Sequence, residues 1–75
     1  MGTAAAAPAA TYENTLKKHY TAHPDFPNTA RLTCLEDQDW WNNTIYGSFS
    51  GTSDQYFYCT PASGSDYNLW WRHKV

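Results

Sequence analysis

Apolar and polar positions change their spacing part-way along the chain. Tyr12, Leu16 and Tyr20 recur at i, i+4 and i+8, the spacing that lines one face of an α-helix. Thr11 suits the N-cap and Glu13 the first turn, while Lys17 and Lys18 suit the C-terminal half. Pro24 would end such a helix and bias His23 towards extended backbone. The spacing therefore predicts a helix over residues 12–22. The following segment, HPDFPN from His23 to Asn28, reads as a connector in which Phe26 serves as an anchor.

From Ala30 onwards the alternation reads as period two. Residues 31–35 suggest a first strand, with Glu36-Asp37-Gln38-Asp39 as a polar turn. Trp40 to Ser50 reads as a longer second strand, interrupted at Asn42-Asn43. Gly51-Thr52-Ser53-Asp54 is a turn signal, and residues 55–60 form a third strand. Pro61 to Asp66 is a second turn, leading into a fourth strand over residues 67–75. The expected fold is α+β: one N-terminal helix packed on a four-stranded antiparallel β-sheet, with one disulfide.

Cys34 and Cys59 are the only cysteines and are expected to pair. A simple meander opposes this, because its first and third strands lie about 9–10 Å apart. A disulfide needs Cα atoms at roughly 4.4–6.8 Å. Either the strand order differs, or the thiols are free, or the segment through Cys34 folds over the sheet, partly as loop; the last is the preferred expectation.

Alternation sorts the strands into two faces. Trp41, Ile45, Phe49, Phe57, Cys59, Tyr67, Leu69, Trp71 and Val75 form a core face, with Leu16 and Leu32 beneath the helix. The opposite face carries Trp and Tyr mixed with Asn, Thr and Arg. A second core would be richer in Val, Ile and Leu. Interfaces favour Tyr, Trp and Arg, which give large contact area at low entropy cost. Trp40, Tyr46, Tyr56, Tyr58, Trp70 and Arg72 are the expected binding surface.

Composition sharpens this picture. The chain has 75 residues, and residues 1–10 are expected to be a disordered, Ala-rich N-terminal segment ahead of a single domain over residues 11–75. A domain this small buries only about 60% of the surface its unfolded chain exposes. It cannot enclose all of four Trp, six Tyr and three Phe, so some must lie at the surface. The formal net charge is −2, and the short clusters Lys17-Lys18-His19 and Arg72-His73-Lys74 make no extended basic stripe. Nucleic acid and anionic membranes are thus not expected partners. No apolar run approaches the roughly 18 residues of a membrane span. A disulfide in a short chain points to secretion, or to the periplasm of a bacterium.

Candidate chemistry is sparse. His19 and His23 would align on one helix, with Asp25 or His73 as a third metal ligand, but no complete ligand set follows and no metal or cofactor is expected. Gly47-Ser48-Phe49-Ser50-Gly51 lacks the central serine of a nucleophile elbow. Glu36, His19, His73 and Arg72 are the residue types of a small ribonuclease, yet nothing in the sequence gathers them, and no enzyme is expected. Asn42-Asn43-Thr44 fits the N-glycosylation pattern. The expected function is a small secreted protein-binding module, an enzyme inhibitor or effector-like ligand, acting as a monomer through its aromatic face. The alternative is a carbohydrate-binding module that stacks sugars on Trp and Tyr.

Overall fold

The computed structural model describes residues 11–75. The Ala-rich segment over residues 1–10 lies outside them. The order of elements is β1 (Tyr12–Tyr20), α1 (Thr29–Tyr46), β2 (Tyr56–Pro61) and β3 (Tyr67–Lys74). The fold is α+β with one helix, a three-stranded antiparallel sheet and one disulfide. The strands are ordered β1-β3-β2, so β3 is central and pairs antiparallel with both neighbours.

The first half of the chain departs from expectation. The helix expected over residues 12–22 is β1, and the two strands expected over residues 31–35 and 40–50 are the single helix α1. The sheet accordingly has three strands rather than four. The spacing of Tyr12, Leu16 and Tyr20 is ambiguous, because steps of four are also even steps, which share one face of a strand. A bulge then intervenes: Leu16 pairs with Trp70 but Lys18 with Leu69, leaving Lys17 as the extra residue. Tyr12 and Leu16 therefore lie on one face, while Tyr20 crosses to the other and is buried beneath the helix.

Helix α1 follows Pro27-Asn28 and ends at Gly47, whose φ of 71° is the left-handed conformation that glycine adopts without strain. The Gly47 amide donates to the Asn43 carbonyl at 2.9 Å, closing the last turn. The inward stripe of α1 is Ala30, Cys34, Gln38, Trp41, Asn42 and Tyr46. The acidic run Glu36-Asp37-Gln38-Asp39 lies mid-helix, where all but Gln38 and Asp37 are exposed. Asp37 accepts the hydroxyl of buried Tyr20, and burial together with that carboxylate raises the tyrosine's pKa far above its ordinary value.

A second glycine is required by contact. A Cβ on Gly51 would meet the Tyr56 Cβ at 2.6 Å, and its φ is 72°. The following Thr52 organises the approach to β2: its hydroxyl accepts the Gln55 amide at 2.8 Å, and its own amide donates to the Gln55 carbonyl at 2.8 Å.

The core lies between α1 and the sheet. Tyr20, Ala30, Cys34, Phe57 and Leu69 are buried. Phe57 is stacked between Trp41, at 5.5 Å, and Trp71, at 5.7 Å. The Trp71 indole donates to the Tyr46 hydroxyl at 2.8 Å. The expected disulfide is present: Cys34 on α1 and Cys59 on β2 have Cα atoms 6.2 Å apart. The distance that forbids a bond across a flat meander is closed because α1 lies over the sheet.

Asn42 is the buried polar residue of the core, 2% exposed. Its amide oxygen accepts the Phe57 amide at 2.7 Å. Its amide nitrogen donates to the Phe57 carbonyl at 3.0 Å and to the Phe49 carbonyl at 3.1 Å. Gln38 accepts the Cys59 amide at 3.0 Å in the same manner. The outer backbone edge of β2 is thus bonded by side chains of α1. With its nitrogen enclosed and twice hydrogen-bonded, Asn42 offers no glycosylation site in the folded protein, although its triplet fits the pattern.

Candidate functional site: an open aromatic sheet face

The sheet face opposite α1 is covered by no described element. Directly opposed residues share a face, which makes its membership a matter of register. Arg72 on β3 stands between Asn14 and Tyr56, and Trp70 between Leu16 and Tyr58. Asn68 stands between His19 and Thr60, and Lys74 lies opposite Tyr12.

The side chains are fixed by one another. The Trp70 indole donates to the Thr60 hydroxyl at 2.8 Å. The Tyr58 hydroxyl donates to the Asn14 amide oxygen at 2.8 Å, and its pKa is raised, chiefly by burial. The Arg72 guanidinium lies 4.6 Å from the centre of the Tyr12 ring, and its Nε donates to the Asp54 carbonyl at 3.2 Å. The Tyr56 and Tyr58 rings are 5.6 Å apart at an interplanar angle of 63°. The tyrosine rings therefore present edges and faces at differing angles, and Tyr58, Trp70 and Arg72 are braced before any ligand arrives.

Four of the six residues expected from sequence, Tyr56, Tyr58, Trp70 and Arg72, are brought together here. Trp40 and Tyr46 are not with them. Both belong to α1: Trp40 is 58% exposed on the outer side of the helix, and Tyr46 packs against the core through Trp71. They were expected on the aromatic face because residues 40–50 read as a strand. Conversely, Tyr12, Asn14 and Leu16 complete the face from β1, and Leu16 is 49% exposed. Their even spacing was the available signal.

Of the cations on the strands, Arg72 and Lys74 lie on the open face. Lys17 and Lys18 lie on the helix side, with their ammonium groups over the Trp71 and Tyr20 rings at 5.4 and 5.0 Å. Glu36, Asp37 and Asp39 lie on α1 with Arg31, and Asp25, Asp54 and Asp66 in loops.

The other candidate chemistry is dispersed. His19 lies on β1 and His23 in the following loop, so their helical spacing has no counterpart. Among the described residues no group of three or more His, Cys, Asp or Glu is placed to hold a metal ion. Arg72 and His73 point to opposite faces of β3, and Glu36 is exposed on α1. His73 accepts or donates a hydrogen bond with the Thr15 hydroxyl at 2.8 Å and stacks on Trp71 at 3.8 Å. A cavity of about 340 Å³, lined by Asp25, Phe26, Pro27, Asn28, Thr29 and Leu32, opens at the start of α1. Its residues belong to the loop and helix, and none lies on the aromatic face.

His19 ties the end of β1 to the β2–β3 hairpin. Its Nδ1 is 2.6 Å from the Asn68 amide oxygen and its Nε2 3.2 Å from Asp66. Both partners are acceptors, so only the imidazolium donates to both at once. The Asn68 bond is the larger cause that raises the pKa above 6.5, followed on that side by Asp66. A raised folded-state pKa contributes stability that is present below pH 6.5 and is lost as pH rises through the folded value. The melting temperature is expected to fall slightly between pH 6 and pH 8, and His19→Gln should flatten that slope. An unchanged slope in the variant would exclude this contact as its source.

The chain matches no protein-family model, and no curated protein or solved structure matches it.

Proposed function

We propose that this chain is a small secreted protein-binding module, an enzyme inhibitor or an effector-like ligand, whose contact surface is the open sheet face. The observation that carries this reading is the bracing of Tyr58, Trp70 and Arg72 by Asn14, Thr60 and Tyr12. Side chains already held in place lose little entropy on binding, and Trp, Tyr and Arg are the residues that anchor protein interfaces. Tyr56, Tyr58, Trp70 and Arg72 are the proposed contacts, joined by Tyr12 and Leu16. Arg72 and Lys74 on this face favour a partner that surrounds an apolar patch with carboxylates. Such binding weakens as salt rises.

The tilted Tyr56 and Tyr58 rings offer no coplanar platform for sugar rings, which places a glycan second. The disulfide, a bond that persists in oxidising compartments, supports the secreted reading. No helix among the described residues is long and apolar enough to cross a membrane. The role is binding rather than catalysis.

Two measurements separate these readings. Secreted proteins captured by the wild-type chain should be lost with Tyr56→Ala/Trp70→Ala and retained with Trp40→Ala, which alters only the outer side of α1. Intrinsic Trp fluorescence titrated with a panel of soluble oligosaccharides should not change. Equal capture by both variants would remove the sheet face as the site, and a saturable response to one glycan class would convert the module to a carbohydrate binder.

A further inference from the structure

The two edges of the sheet are not alike. Along β2, the outward Phe57 amide and carbonyl and the outward Cys59 amide are bonded by Asn42 and Gln38 of α1. That edge is closed to any further strand. Because Phe57 and Cys59 point away from β3, their partners Trp71 and Leu69 point towards β1. Trp71 therefore exchanges backbone bonds with Thr15, and the Val75 amide donating to the Thr11 carbonyl continues the same phase. It follows that Tyr12, Asn14 and Leu16 direct their amides and carbonyls out of the sheet. No described element lies along them.

We infer that this edge pairs with β1 of a second copy of the chain, antiparallel, about a two-fold axis at Asn14. The C-terminal strand β3 has no free edge for such pairing, because it is flanked on both sides. Pairing about Asn14 uses residues 12–16, which precede the bulge at Lys17 and are regular. It sets Tyr12 opposite Leu16 of the second copy, and does so twice by symmetry. The half-exposed Leu16 side chain is then covered by a tyrosine on the same face. On the other face, Glu13 becomes the diagonal neighbour of Lys17 of the second copy, again twice.

Charge matching is what selects this occupant. Lysines and a bulge on an edge strand ordinarily discourage pairing. Here Lys17 meets Glu13 rather than its own kind, because the two lie on either side of the axis. An unrelated strand would need an acid at that one position. The union makes one continuous antiparallel sheet in which the two aromatic faces adjoin on the same side, since the two-fold axis runs perpendicular to the sheet. A partner would then meet a doubled surface, and avidity would follow where it presents two sites.

Sedimentation equilibrium of the full chain over a wide concentration range tests this without any partner. The wild type is expected to pass from monomer to dimer. Asn14→Pro should remain monomeric, because its amide faces outward and proline is tolerated at such an edge position. Glu13→Lys and Lys17→Glu should each weaken dimerisation about fivefold to tenfold through like charges, and the double exchange should restore it. These charge variants keep the test open should the proline variant fold poorly. A monomer at every concentration, a dimer that survives Asn14→Pro in a folded chain, or a double exchange without rescue would each overturn the inference.

Discussion

Replacing Asn42 by alanine is expected to destabilise the protein by about 3–5 kcal/mol, because two buried backbone groups and one part-buried carbonyl lose their partner at once. The Phe57 amide, the Phe57 carbonyl and the Phe49 carbonyl are all satisfied by this one side chain. Water has little access to replace it, as Asn42 is among the largest fully buried side chains. A domain of this size has about 5–15 kcal/mol of total stability at best, so the loss is a large share of it. The melting temperature should drop by roughly 15 °C or more. Asn42→Asp is nearly isosteric and keeps the oxygen that accepts the Phe57 amide. It loses the donor and sets a carboxylate against two carbonyls, so it should be no better tolerated. Thermal and urea unfolding followed by circular dichroism measure both. A loss below about 1 kcal/mol would mean that the amide does not hold the edge of β2.

Reduction of the Cys34–Cys59 disulfide is expected to cost about 3–4 kcal/mol, the chain-entropy estimate for a loop of this length. The two residues are 25 apart in sequence, and Cys34 is fully buried. Among the described residues the buried apolar core is small, Tyr20, Ala30, Phe57 and Leu69 besides Cys34 itself, with half-buried aromatics packed against it. The bond and the Asn42 bridge fasten the same two elements, α1 and β2. Their losses should therefore couple, and removing both should leave a chain that is largely unfolded. Denaturant titration with and without reductant gives the answer directly. Coincident midpoints would show that packing and the Asn42 bridge hold α1 on the sheet without the disulfide.

Those two contacts also explain which parts of the fold are legible in the sequence. Strands β2 and β3 follow from alternation, since Phe57 and Leu69 are apolar and inward while Tyr58, Thr60, Asn68 and Arg72 lie on the other face. The turn between them follows from its Pro, Gly and Ser, and the cysteine pair from there being two cysteines in a short chain. Helix α1 is concealed because its inward stripe includes Asn42, Gln38 and Cys34, whereas Leu32, Trp40 and Ile45 face outward and are half exposed. A hydrophobic period is absent where the helix binds a strand edge through amides. Gly47, a helix-ending glycine, resembles a flaw in a long strand when that period is missing. β1 is concealed by arithmetic, because steps of four satisfy both a helix and a strand. The bulge at Lys17 cannot be read from residue types.

The candidate site inherits this division. Tyr56, Tyr58, Trp70 and Arg72 share a face because alternation gives the phase of β2 and β3. Trp40 and Tyr46 join them only if residues 40–50 form a strand, and Tyr12, Asn14 and Leu16 are missed if residues 12–22 form a helix. What no residue pattern conveys is the bracing of the face, which depends on Asn14 of β1 reaching Tyr58 of β2 across the intervening β3.

If the braced sheet face, rather than the outer side of α1, is the binding surface as proposed, nitrogen–proton NMR of the isotopically labelled chain, titrated with the captured partner, will locate the contact there. The amides of Tyr56, Tyr58 and Arg72 and the indole of Trp70 are expected to shift or broaden first, while the Trp40 indole and the Leu32 amide stay in place. Perturbations gathered at Leu32 and Trp40, with the sheet face unchanged, would contradict the proposal and transfer the binding role to the helix.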